Sequence, residues 1–253
     1  MKTQDWTDRR VWIVGASTGI GRATAELLLQ RGATVGISAR SADKLASLAA
    51  QYPRAIVLPV DTNHVEQLQE AYHRLTEYGA LDVYLHCAAD YQPMRAWELD
   101  PIRMQQMMNT NYGGVLNGLS VVLPDMLTRQ AGHLAIVASV AGYMGLPKSL
   151  AYGPTKAALI NLCESLYVDL KPKGVGVQVI NPGFVETPLT AQNDFEMPAL
   201  LTPAQAAQAL VKDLATDQFE ITFPKRFTYA LKFVKRLPYP IQLQILSKIA
   251  QNS

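Results

Sequence analysis

The sequence predicts an α/β fold, a single doubly wound domain of about seven parallel strands with helices on both faces. Three observations predict it. Short apolar runs alternate with helical patterns along most of the 253 residues. Strands separated by helices need crossover connections, and these build a parallel sheet covered on both sides. A glycine cluster lies between the first strand and the first helix. The composition, 49% hydrophobic and 17% charged, is globular, and a domain of this length buries well over half of its unfolded surface.

The elements follow in order. Residues 10–14 form a strand and residues 19–30 a helix. A strand at 34–39, a helix at 42–51 and a strand at 55–60 come next. Asn63 reads as an N-cap with Glu66 three places on, opening a helix to about Tyr78. Residues 81–87 are the fourth strand. Asp100-Pro101 opens a long helix ending near Leu127, since proline suits a first helical turn. A fifth strand at 133–138, a long helix at 150–170 and a sixth strand at 175–180 come next. Thr202-Pro203-Ala204-Gln205 is a capping box, and residues 219–223 are the seventh strand. No linker, repeat or low-complexity stretch interrupts the series.

Net charge is +2, but six of the 23 Lys and Arg lie after Glu220, where no acid remains. The body is therefore mildly acidic and the tail strongly basic. Cys87 and Cys163 lie in apolar stretches and are expected to be reduced core thiols. Residues 1–10 are polar and charged, so no signal peptide is expected, and no apolar run approaches a membrane span. A cytoplasmic protein is expected, with no metal site.

Gly15-Ala16-Ser17-Thr18-Gly19-Ile20-Gly21 lies between strand and helix, where glycines let backbone N–H groups approach a pyrophosphate at the helix N-terminus. Its spacing, G-x-x-x-G-x-G, differs from the G-x-G-x-x-G of many dinucleotide folds. The second strand ends Ile37-Ser38-Ala39-Arg40-Ser41. An NAD site usually places an acid there for the ribose 2′-hydroxyl, whereas an arginine suits a 2′-phosphate. Arg40 without an acid therefore points to NADP(H), and Arg22 is a candidate second cation.

Tyr152 and Lys156 are four apart at the start of a long helix and share a face. A free tyrosine, with a pKa of about 10, is a poor acid/base near neutrality. A nearby ammonium is expected to lower it. Ser139 ends the fifth strand, at the carboxyl edge that hosts ligands in parallel sheets. Asn111 lies within a helix, where asparagine is an indifferent choice.

The set Gly15-x-x-x-Gly19-x-Gly21, Asn111, Ser139, Tyr152-x-x-x-Lys156 and Asn181-Pro182-Gly183 resembles the short-chain dehydrogenase/reductase family in order and spacing. The resemblance runs from about Arg10 to Phe223 and implies a Rossmann-type sheet. It implies Tyr152 as general acid/base, and Lys156 lowering its pKa and holding the nicotinamide ribose. It further implies Ser139 on the substrate oxygen, Asn111 fixing a relay water, Asp61 on the adenine and Thr187 on the carboxamide. Cofactor contacts are expected from Gly15, Ser17, Thr18, Gly19, Ile20, Gly21, Arg40, Asp61, Ala88, Pro182, Gly183, Val185 and Thr187, besides Asn111, Tyr152 and Lys156. Two departures stand out. Val14 replaces a frequent threonine, and His86-Cys87-Ala88-Ala89 replaces Asn-Asn-Ala-Gly. Ala89 adds a methyl near the cofactor, Cys87 cannot replace an amide's hydrogen bonds, and His86 reads as a satisfied strand-end histidine.

Residues 1–224 are expected to form the NADP-binding and catalytic domain, with residues 225–253 as a basic amphipathic tail on or beside it. Tyr91, Met94, Tyr143, Met144, Phe184 and Leu189 are expected to line the substrate pocket, with Trp97 nearby and residues 189–201 as a lid. These side chains suit a lipophilic carbonyl or alcohol. In the tail, Phe227, Ala230, Leu231 and Val234 share a face, with Lys232, Lys235 and Arg236 away from it. That helix either lies on an anionic membrane surface or covers the active site or a subunit interface. A homodimer or homotetramer is expected, and no nucleic-acid partner. The alternatives are an NAD-linked alcohol dehydrogenase and a non-catalytic NADP(H) sensor on the same fold.

Overall fold

Side chains that alternate between two apolar layers make the strands. In β1 (Arg10–Val14), Val11 and Ile13 face one core, while Trp12 and Val14 face the other. The computed structural model describes residues 6–77 and 79–251. The polar start at residues 1–5, the helix end expected at Tyr78 and the last two tail residues lie outside them.

Six more strands follow: β2 (Thr34–Ser38), β3 (Ala55–Val57), β4 (Val83–His86), β5 (His133–Val137), β6 (Gly176–Pro182) and β7 (Glu220–Phe223). All pair in parallel, in the order β3-β2-β1-β4-β5-β6-β7. The doubly wound sheet is as the sequence predicts. Helices α1 (Gly19–Gln30), α2 (Ala42–Ala49) and α7 (Pro203–Leu214) bury Leu28, Leu45 and Leu210 on one face. Helices α3 (Val65–Thr76), α5 (Gly114–Arg129) and α6 (Tyr152–Leu170) bury Leu75, Val122 and Leu159 on the other. The order reverses between β1 and β4, so a crevice opens at their carboxyl ends, the usual ligand position in such sheets.

Local chemistry explains where elements start and stop. Asp100 caps α4 (Pro101–Met108), accepting from the Ile102 and Arg103 N–H groups at 3.0 and 3.2 Å. Thr202 and Gln205 form the expected capping box on α7. Asn63 does not cap α3. The position falls to His64, without a side-chain bond, because Asn63 donates both its backbone N–H and its amide to Asp61 Oδ1 at 3.0 Å. Such a local turn competes with the cap. The strand expected to reach residue 60 ends at Val57, since Pro59 has no N–H for the ladder; Leu58 and Val60 still donate to the carbonyls of Ile37 and Ala39.

The helix expected from Pro101 to Leu127 is broken. A π turn, Asn109–Gly113, separates α4 from α5, which runs on to Arg129. Asn111 sits in this turn and is fully buried. Beyond β7 the tail forms α8 (Lys225–Lys235) and α9 (Tyr239–Gln251).

Candidate active site

Backbone geometry builds the first wall of the crevice. Gly15 has φ +94°, and a Cβ on it would lie 2.5 Å from the Ala88 nitrogen; one on Gly21 would lie 2.2 Å from the Gly15 carbonyl oxygen. The turn therefore presents bare backbone at the N-terminus of α1 to a cavity of about 1030 Å³. That cradle fits a diphosphate by close approach and by the helix dipole.

The cavity joins the expected cofactor residues. Gly15, Ser17, Thr18, Gly19, Ile20 and Gly21 line it, as do Arg40, Asp61 and Ala88. Pro182, Gly183, Val185 and Thr187 line it too, with Thr187 against Gly19, as do Ser139, Tyr152 and Lys156. Arg22 does not take part: it pairs with Glu26 at 3.0 Å and reaches toward α2. The second cation is Lys44, which lines the cavity beside Arg40 and Ser41. Its position four residues after Arg40, at the start of a helix, was the available signal.

Tyr152 opens α6 and Lys156 follows one turn later. The Lys156 Nζ lies 5.4 Å from the Tyr152 ring centroid and donates to the Val137 carbonyl at 2.9 Å. Burial lowers the Lys156 ammonium to about 8. Burial also dominates at Tyr152 and holds its phenol above the ordinary tyrosine value, with the Ser139 hydrogen bond opposing it. The expected lowering by Lys156 is not among the causes of the shift, and the neutral, proton-donating form is favoured. Ser139 Oγ accepts from the Ala141 N–H at 3.1 Å.

Asn111 reaches the site indirectly. Its Oδ1 accepts from the Asp90 N–H at 2.6 Å, and its Nδ2 donates to the Asp90 carbonyl at 2.9 Å and to Thr155 Oγ1 at 3.1 Å. It therefore ties the loop after β4 to the turn of α6 that carries Lys156. A one-turn π segment is a frequent functional-site device, and here it aims an amide at two backbone groups. His86 is only half satisfied. Its Nδ1 pairs with the Tyr84 hydroxyl at 2.9 Å, while its buried Nε2 has no partner among the described residues. Burial lowers its imidazole to about 3, with the nearby Lys156 charge adding to the effect. Cys163 is buried as expected, but Cys87 is half-buried and lines the cavity.

Of the expected substrate-pocket residues, Tyr91, Phe184 and Leu189 line the cavity; Met94, Tyr143 and Met144 do not. Met94 is buried against Met107 and Ala151. The short helical turn after Ser139 swings Tyr143 away, so that its hydroxyl donates to Glu220 at 2.6 Å. Met144 is buried under α9, where Gln242 donates to its sulfur. Trp97 is 80% exposed, with Arg95 over its ring. The lid residues cover the cavity, including Asn193, Phe195 and Glu196. They are fastened by Tyr91, whose hydroxyl donates to Asn193 Oδ1 at 2.6 Å, and by an ion pair between Lys148 and Asp194. Phe195 packs on Phe184. Tyr91 also meets Tyr152 edge to face at 5.0 Å. Asn193 and Lys148 carried no sequence signal, because a loop's partners are set by tertiary placement.

The tail completes the cavity. Phe227 and Leu231 of α8 and Ile249 of α9 line it. The inward face differs from the expected one in two places: Ala230 is exposed, and Lys232 turns inward to pair with Glu220. Burial alone would raise the Glu220 carboxyl, but bonds from Lys232, Tyr143 and Asn181 outweigh it and hold it below its ordinary value.

Comparison with known proteins agrees with this geometry. The family model described as short chain dehydrogenase matches residues 9–197. A Myxococcus xanthus protein named an uncharacterized oxidoreductase is 36% identical, over 92% of this chain and 94% of its own. A Burkholderia cenocepacia short chain dehydrogenase solved in complex with NADP shares the fold with a TM-score of 0.85 at 22% identity, covering 97% of this chain and 99% of that one. A Brucella melitensis 3-oxoacyl-[acyl-carrier protein] reductase with bound NAD aligns with a TM-score of 0.76 at 25% identity, over 87% and 91% of the two chains.

Proposed function

Because the chain belongs to the short chain dehydrogenase family, we propose that it is an NADP(H)-dependent oxidoreductase interconverting a carbonyl and an alcohol on a lipophilic substrate. Tyr152 is its general acid/base. The observation that supports this reading is that Tyr152, Lys156 and Ser139 line one cavity together with the glycine turn and with Pro182, Gly183, Val185 and Thr187.

Gly15, Ser17, Thr18, Gly19, Ile20 and Gly21 would hold the cofactor's phosphates, and Asp61 and Ala88 its adenosine end. Arg40 and Lys44 would meet a 2′-phosphate, since Arg40 just after β2 and Lys44 in the first turn of α2 both line the cavity while Asp43 between them does not. Thr187, beside Pro182, Gly183 and Val185, would hold the carboxamide. Bound there, the nicotinamide supplies or accepts the hydride.

The protein's own part is to bind and protonate the substrate oxygen. Tyr152 and Ser139 both face that oxygen; Ser139 orients it by a hydrogen bond, and Tyr152 gives its phenolic proton to the forming alkoxide. Burial keeps Tyr152 protonated beforehand. Lys156 carries positive charge near neutrality and stabilises the tyrosinate left behind. Asn111 holds the turn of α6 that sets both. The lid and the apolar side chains of Phe184, Phe227 and Leu231 exclude water and favour an apolar substrate.

Tyr152→Phe is expected to lower kcat roughly a thousandfold, within the usual range for a lost general acid, while NADPH affinity stays unchanged by fluorescence titration. A near-normal rate rules out the assignment. Tight NADPH binding by the unaltered protein, with no oxidation across a broad carbonyl panel, would favour a sensor instead.

A further inference from the structure

The inner face of α8 is spent on the cavity, yet its outer face is also apolar. Tyr229 is 55% exposed and Phe233 66%. Residues 225, 229, 233 and 236 follow at helical steps of four, four and three, so Lys225, Tyr229, Phe233 and Arg236 form one stripe, with Arg226 beside it. Tyr239, 72% exposed, continues the apolar surface at the start of α9. Arg226, Lys235, Arg236 and Lys248 make no ion pair among the described residues, and no acid follows Glu220.

From these observations we propose that the outer face of α8 and the start of α9 dock on an anionic phospholipid bilayer. Exposed aromatics flanked by cations are what an interfacial helix presents to lipid headgroups. Charge argues against a second copy as the occupant, because a two-fold interface through this stripe would set cations against cations. The contact is peripheral, since no helix among the described residues is long and apolar enough to cross a membrane.

Docking has a consequence for substrate. Phe227 and Leu231, on the opposite side of the same helix, line the cavity. The cavity wall then stands about one helix diameter, ~10 Å, from the lipid. That position suits an apolar carbonyl or alcohol that partitions into the bilayer. This last step rests on the oxidoreductase reading; vesicle binding itself does not.

The test is co-sedimentation of the full chain with phosphatidylcholine vesicles, with and without phosphatidylserine. Binding is expected only with phosphatidylserine, and it should weaken as the Debye length falls from about 10 Å at 0.1 M salt to about 3 Å at 1 M. Arg226→Gln with Arg236→Gln should weaken binding roughly thirtyfold, at about a fivefold loss or slightly more per cation. Tyr229→Ser with Phe233→Ser should weaken it as well, and both pairs should melt at the wild-type Tm. The proposal fails if the wild-type chain ignores phosphatidylserine vesicles at low salt, or if both double variants bind like wild type. It also fails if the aromatic pair instead abolishes a concentration-dependent dimer, or if duplex DNA binds as tightly as the vesicles. Loss of turnover in Tyr152→Phe leaves every one of these outcomes unmoved, so the two readings fail separately.

Discussion

The two halves of the cavity are built by different means. On the cofactor side, the wall is backbone: a turn between β1 and α1 in which Gly15 and Gly21 have no room for a side chain. On the substrate side, the wall is side chains from separate stretches of chain: Tyr91 after β4, Phe184 and Asn193 after β6, Phe227 and Leu231 from α8, and Ile249 from α9. The first wall is local in sequence and set by chain geometry. The second is non-local and held by pairwise contacts such as Tyr91 to Asn193. A local wall should fail abruptly when altered, and an assembled wall by degrees.

Substitutions can break or sharpen that contrast. Gly15→Ala should have the largest effect, because it combines a positive φ with a Cβ placed against the Ala88 backbone. The forced backbone alone costs about 1–3 kcal/mol, so chemical denaturation should show a marked loss of stability and titration a loss of NADPH binding. Arg40→Ala comes next. A hydrogen bond to a charged group is worth about 1.5–3 kcal/mol, so NADPH affinity should fall roughly ten- to a hundredfold while NADH affinity holds. Equal affinities for the two cofactors in the unaltered protein would overturn the NADP(H) assignment.

Effects on the substrate side should be smaller. Tyr91→Phe keeps the ring against Tyr152 but removes the bond to Asn193. The net value of about 1 kcal/mol for one hydrogen bond predicts roughly a fivefold change in kcat/KM, against an unchanged NADPH affinity. An unaltered kcat/KM would mean that the lid is held by Lys148 and Phe195 without Tyr91. Glu220→Gln should be the mildest. The Glu220 carboxyl is held below its ordinary value in the folded protein, so its contribution to stability is present above the unfolded value of about 4.3. It is lost as pH falls through the lower folded value. The Gln variant should therefore be modestly less stable than the unaltered protein near neutrality by chemical denaturation, and the difference should vanish as pH falls through that window.

Legibility in the sequence followed the same division. The succession of strands and helices, the glycine turn and the four-residue step from Tyr152 to Lys156 on one helix could be read because each depends on local spacing. Met94, Tyr143 and Met144 were misplaced because nearness to a strand end does not fix where a side chain points. Tyr143 turns toward Glu220, 77 residues away, and nothing local encodes that. Arg22 has the right charge in the right turn, but Glu26 one helical turn later captures it. The tail's amphipathic character was visible; its orientation was not. Glu220 is what draws Lys232 inward and so decides which face is left outside.

The π turn at Asn109–Gly113 carries a consequence for chain length. An α-helix advances about 100° and 1.5 Å per residue, so the wider turn shifts the phase of α4 against α5. In that phase α4 presents Met107 to Met94 and Ala151 near the catalytic helix, while α5 presents Val115 and Val122 to the sheet. Deleting one residue would leave a continuous helix that still forms readily, yet its two ends would no longer face their own partners. At this point the number of residues is as much a part of the active site as their identity.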